Sequence, residues 1–241
     1  MDGPAALTGI LHPNMGEPAS PGQATKGWDQ MKPIYAAAFL AVGVLTPTLA
    51  QAETRSIEGQ SFHAIDARGP YQLNIVAGAP AAHVTANGTA DHLSDLDMRV
   101  ENGVLQIRRH CSGICNSHGT RAVIDVSAPA LDSVAVGWGA DASVQHIAAD
   151  NFNVHVSMGS DLTIDGTCRS LTVAASMGAD IHASNLHCND VSADASMGAD
   201  MAVYASQSID AHAGMGSDIR VLGKPAQRNV HGGIGADVSI D

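Results

Sequence analysis

The chain has 241 residues, of which only 3% are aromatic, and its 24 acidic against 12 basic residues leave a net charge of −12. That charge excludes a nucleic-acid partner, whose phosphates need a basic surface. So few aromatics, beside abundant Ala and Gly, exclude the bulky centre of an ordinary globular enzyme and fit an interior built of many thin layers.

Residues 1–30 are rich in Gly and Pro and precede the signal's own Met31; they read as an artefact of an upstream start codon, with a real leader extension as the alternative. Met31–Ala52 (residues 31–52) has the three parts of a signal peptide. Lys32 supplies the positive end, Ile34–Leu45 the apolar stretch, and Ala50-Gln51-Ala52 the small-x-small cleavage site. The apolar stretch is too short to span a bilayer. Pro33 and Pro47 suit a buried helix poorly. The mature chain, residues 53–241, is therefore expected to begin at Glu53 and to be exported: periplasmic, on the outer surface, or secreted.

Residues 57–126 form an N-terminal β region. Ser61–Val76, His83–Ala86, Met98–Arg108 and Arg121–Val126 read as strands separated by turns, and Asn102-Gly103 is a hairpin signal. The region is expected to open the same sheet stack as the repeats and to cap its N-terminal end. Within it, His110, Cys111, Cys115 and His118 fall inside nine residues and could hold zinc or copper. The spacing is not that of a familiar finger, and in an oxidising compartment a Cys111–Cys115 disulfide is the simpler outcome.

Residues 127–241 are repeat coils. Gly-Ala/Ser-Asp followed by apolar-x-apolar begins at Gly139, Gly159, Gly178, Gly198, Gly216 and Gly235, in steps of 20, 19, 20, 18 and 19 residues. Each repeat carries two runs of period two, for example Phe152, Val154, Val156 before one Gly and Leu162, Ile164 after it. Period two means strands with one face inward. Two short strands cannot bury themselves alone, so coils must stack, each pairing in parallel with its neighbours. The expected fold is all-β: a single-stranded parallel β-helix, or β-solenoid, of about six 19-residue coils. Parallel crossovers favour the right hand.

Stacking sets equivalent positions ~4.8 Å apart and so turns each repeat position into a ladder. Trp138, Met158, Met177, Met197, Met215 and Ile234 form one. Thioethers could take soft Cu(I), but a chemically mixed apolar column is what core packing alone would produce, so core is the expectation. Asp141, Asp161, Asp180, Asp200, Asp218 and Asp237 form another. Calcium between coils at Asp161, Asp180, Asp200 and Asp218 would offset their repulsion. The register differs from calcium-binding nonapeptide repeats, and Asx-turns satisfying each carboxylate locally are the plainer reading. Cys168 and Cys188 lie 20 residues apart, one coil, and are expected to pair as a disulfide. His155, His182 and His212 sit among small residues in alternating runs and are expected to face solvent.

The mature chain resembles the putative auto-transporter adhesin head GIN domain family over about Ser61 to Ile240. The resemblance rests on Phe62–Gly69, Val100–Ile107 and Ala128-Pro-Ala-Leu131 leading into the repeats, then Val221–Pro225 and Gly233–Asp237. It implies an exported β-helical domain with an adhesin role and brings no catalytic or binding residues with it. This chain departs by placing Met where the repeat usually has a small residue.

No nucleophile elbow, HExxH or P-loop occurs, so no catalytic residue and no cofactor is expected. The functional expectation is an exported, non-catalytic, adhesin-like or structural binding module of the bacterial envelope or surface. Its partner would be a surface glycan or an envelope protein, with self-association through the solenoid ends also open. The alternatives are a polysaccharide-acting β-helix enzyme and a metal-binding surface module holding Ca, Zn or Cu. The enzyme would want aromatic sugar platforms, yet residues 122–241 hold only Trp138, Phe152 and Tyr204 as large aromatics.

Overall fold

The structure is a computed structural model describing residues 53–110 and 121–241. The N-terminal elements are β1 (Glu53–Glu58), β2 (Ala64–Arg68), β3 (Gln72–Ala77), β4 (His83–Gly88), a short helix α1 (Ala90–Ser94), β5 (Leu96–Glu101) and β6 (Val104–Arg109). β7 (Val123–Ala128) and β8 (Ser133–Gly137) lead into four long strands: β9 (Asp141–Ser157), β10 (Asp161–Ser176), β11 (Asp180–Ser196) and β12 (Asp200–Gly214). β13 (Asp218–Leu222), β14 (Gln227–Gly232) and β15 (Asp237–Ile240) complete it.

From β8 onward every pairing is parallel, each strand lying on the one a repeat earlier and the one a repeat later. This is the parallel β-solenoid, with about five turns. Each long strand serves two ladders. The first part of β9 lies on β3 and its last part on β8, with a register shift against β10 between Ile164 and Gly166. The alternation in the sequence is the alternation in space: Leu162, Ile164, Leu171, Val173 and Ala175 of one coil point inward and are buried, and their equivalents in the next coils stack on them. Small residues fill the narrowest corner. Ser160 and Ser217 are fully buried there beside Ala140, Ala179 and Ala199. Their hydroxyls remain paired: Ser160 Oγ accepts from the Gly139 and Ala140 amides at 3.1 and 3.2 Å, and the one Ser217 hydroxyl proton is shared between the Gly214 and Ala195 carbonyls at 2.6 and 2.8 Å.

The N-terminal region does open the stack, but not in chain order. β2 lies between β6 and β8, and β3 between β7 and β9. The first coil in sequence is thus the second in space, and the chain doubles back to lay β6 and β7 outside it. Antiparallel strands then close that end: β4 on β7, β1 on β4, and β5 on β6. The β5–β6 turn is Asn102-Gly103, both left-handed at φ 51° and 77°, as the hairpin signal implies. Across β2 and β6, Arg108 Nη2 donates to Asp66 Oδ2 at 2.6 Å. Burial alone would raise the Asp66 carboxyl, but the hydrogen bonds and charges of Arg108 and Arg68 outweigh it and hold it below its ordinary value. A depressed carboxyl stabilises the fold above the ordinary carboxylate range, and that contribution disappears as pH falls through it.

The Met column is not core. Met158, Met177, Met197 and Met215 are 41–69% exposed, Trp138 is 59% and Ile234 is 91%. The strand alternation is sound as far as Val156 and Ala175, and then the turn breaks it. The four methionines have φ of 49–58°, and the Gly after each is also left-handed, at 63–71°. Two successive left-handed residues bend the chain from one ladder to the other, and the Met side chain at the bend stands outward. Each turn is tied to the next coil by its Gly amide, as in Gly159 to the Met177 carbonyl at 3.1 Å. A non-Gly residue in this conformation costs ~1 kcal/mol or more, which the coil-to-coil ladder must offset.

Candidate functional site

The sequence-predicted candidates divide. Cys168 and Cys188 are disulfide-bonded across β10 and β11 in direct register, Cα–Cα 4.5 Å, with both side chains buried. Cys111, Cys115 and His118 lie outside the described residues. His110 is exposed, and its amide donates to the Asp95 carbonyl at 2.7 Å.

The Asp column is real. Asp141, Asp161, Asp180, Asp200, Asp218 and Asp237 pair in unbroken register along one edge. Its chemistry differs from the Asx-turn expected. Each Asp opens a strand, and its amide donates to the neighbouring coil, as Asp180 does to the Ser160 carbonyl at 3.0 Å and Asp200 to the Ala179 carbonyl at 3.1 Å. No described residue donates a hydrogen bond to the carboxylates of Asp161, Asp180, Asp200 or Asp218. The left-handed Met-Gly pair and the Gly amide bond to the next coil shape the bend without the Asp carboxylate. Arg121 pairs with Asp141 at the head of the column, and Arg220 reaches Asp241 near its foot. Among the described residues no three His, Cys, Asp or Glu side chains converge on a point that could hold a metal ion.

A site not singled out from the sequence lies on the outer surface of the second ladder, the strands that precede each Met-Gly turn. There the outward positions form columns of short polar groups. One runs Asn151, Ser170, Asp190, Ser208, Gln227, and its neighbour runs Asn153, Thr172, Ser192, Asp210, Asn229. A third column runs His155, Ala174, Asp194, His212 and His231, polar except at Ala174, with the last two rings stacked at 4.8 Å. His155 and His212 face solvent, as does His182 on the other ladder. Between the first two columns runs an open groove of about 410 Å³ lined by Ser170, Asp190, Ser208, Asp210, Arg228 and Asn229 among others.

The groove is internally organised. Ser208 Oγ donates to Asp190 Oδ1 at 2.6 Å, Asn229 Nδ2 donates to Asp210 Oδ1 at 3.0 Å, and His212 Nε2 lies 3.1 Å from the same Asp210 oxygen. Arg228 stands in register with inward-facing Ile209, and its guanidinium holds the Pro225 carbonyl at 2.9 Å. Each carboxylate retains a second oxygen for a hydroxyl donor, and the Ser and Thr hydroxyls can give or accept. Such a surface offers a grid of hydrogen bonds at strand spacing. The columns could have been found by writing the repeats under one another, since every member sits at a fixed distance from its Gly.

The comparisons agree with this architecture. Residues 61–225 match the profile of the family described as "Putative auto-transporter adhesin, head GIN domain". A solved structure of a putative adhesin from Bacteroides fragilis is similar at TM-score 0.64 and 19% identity, covering 79% of this chain and 97% of that one. A putative lipid binding protein from Parabacteroides distasonis (TM-score 0.47, 13% identity) and a putative adhesin from Parabacteroides merdae (0.46, 14%) each cover 79% of this chain and 96% of their own. At 19% identity the likeness to the Bacteroides fragilis structure is one of fold. No curated protein matches the chain significantly. With two thirds of its length in the profile and the solenoid as its structure, the chain belongs to the putative auto-transporter adhesin, head GIN domain family.

Proposed function

We propose that the chain is an exported, non-catalytic, adhesin-like binding module of the bacterial envelope or surface, and that its polar face takes a glycan. The observation that carries this is the in-register columns through Asp190–Ser208 and Asp210–Asn229, with their groove. A polyhydroxylated chain needs many modest hydrogen bonds in a row, and a stacked repeat presents them without further design. The face lacks aromatic platforms: Phe152 is buried and Tyr204 packs on His187 at 4.2 Å. Affinity would therefore come from the hydrogen bonds. The signal-peptide pattern of Met31–Ala52 and the Cys168–Cys188 disulfide support export.

The test is an array of envelope and host-surface polysaccharides probed with the full chain and with Asp190→Ala/Asp210→Ala/Asn229→Ala. Hydrogen bonds to charged groups contribute ~1.5–3 kcal/mol each, so the variant should lose at least ten-fold in binding while keeping its melting temperature within a few degrees. Equal binding by the variant would move the site elsewhere, and new reducing ends on bound polysaccharide would replace the non-catalytic reading with an enzyme.

A further inference from the structure

We propose that Met158, Met177, Met197 and Met215 form an exposed thioether ladder that takes a soft monovalent d10 cation, Cu(I) or Ag(I). Packing does not account for these side chains, because all four stand substantially in solvent. Backbone preference does not account for them either. Left-handed turn positions favour Gly, Asn and Asp, and Met supplies none of their advantages. Trp138 takes the same left-handed position at the head of the ladder, so the turn accepts another side chain. The four consecutive inner coils nevertheless all carry the thioether.

Their alignment is fixed on both sides. Ser157, Ser176, Ser196 and Gly214 pair in register before the turn, and Asp161, Asp180, Asp200 and Asp218 after it. The amides of Gly159, Gly178 and Gly198 each reach the Met carbonyl of the next coil at 3.1 Å. Adjacent thioethers therefore leave the backbone ~4.8 Å apart. With a metal–sulfur bond of ~2.3 Å, the length sulfur makes to zinc, two sulfurs on opposite sides of one ion stand ~4.6 Å apart. Neighbouring rungs can thus grip an ion between them with little adjustment, and four sulfurs make two such pairs. Neutral thioethers select soft cations over Ca, Mg or Mn. The Asp column, three residues on and exposed except at half-buried Asp141 and Asp180, concentrates cations along the same edge without offering soft ligands. Cation capture there is separate from the polar face and stands whether or not that face binds a glycan.

The experiment is a titration of the full chain, labelled with 13C at the Met methyls and with its remaining thiols blocked, with silver nitrate. The methyl resonances of Met158, Met177, Met197 and Met215 should shift and saturate near two ions per chain, while buried Met201 stays put. The quadruple variant Met158→Leu/Met177→Leu/Met197→Leu/Met215→Leu keeps the apolar bulk and should lose at least ten-fold in silver affinity. Silver that leaves the four ladder methyls unmoved, or calcium that moves them equally, would overturn the proposal. Because the methyl readout comes from the unmutated chain, it decides the matter even if the Leu variant does not fold.

Discussion

Val173→Asp should abolish the fold, and Met177→Asp, four residues along the same strand and turn, should leave it standing. Val173 is 1% exposed and stacks between Val154 and Ala193 in the core. An unpaired charge there costs several kcal/mol, against a total stability of ~5–15 kcal/mol. Met177 is 44% exposed in a left-handed turn. Asp tolerates that conformation better than most residues, so the cost should stay near the ±0.5 kcal/mol of surface changes, or ~2 °C in melting temperature. Circular dichroism melts of both variants check the pair. A stable Val173→Asp beside an unfolded Met177→Asp would reverse the inward and outward faces.

Gly166→Ala should lower the melting temperature by ~6–12 °C, from a cost on the order of 3 kcal/mol. Gly166 has φ +133° where β10 passes from one ladder to the other. A Cβ there would lie well inside van der Waals contact of the Ile147 backbone, at its carbonyl oxygen, nitrogen and carbonyl carbon. Backbone on the adjacent coil cannot swing aside as a side chain could. Gly159→Ala is the control. It is also left-handed but has nothing within 4 Å of the added methyl, so only the conformational cost of ~1 kcal/mol applies. Equal melting of the two variants would mean that the coils are not packed as closely at the bend as described.

Much of this was legible in the sequence because a solenoid is locally determined. Once six Gly-Ala/Ser-Asp copies are seen near 19 residues apart, coil length, parallel pairing and the inward positions follow, and so does Cys168 opposite Cys188. The Met column was misread because alternation was carried two residues too far. The left-handed Met-Gly turn resets the direction of the side chain, and only the backbone angles show where the strand ends. The Asp column was found, but its turn chemistry was not, since the neighbouring coil already satisfies the local amides. The order of the N-terminal coils was hidden for a different reason. Placing β2 and β3 inside β6 and β7 is a long-range pairing choice, and no local period encodes it. The polar face went unnoticed because its residues, Ser, Thr, Asn, Asp and His, are unremarkable one at a time and acquire meaning only as columns.

Peptide mass mapping under non-reducing conditions, on protein recovered from the envelope fraction of its native host, tests the central claim most directly. An exported one-coil-per-repeat solenoid predicts a chain beginning at Glu53 and a Cys168–Cys188 linked peptide. The link forms only if the repeat register is right and the compartment is oxidising. A product that still carries Met31–Ala52, with free thiols at Cys168 and Cys188, would contradict export and with it the reading of this chain as a surface binding module.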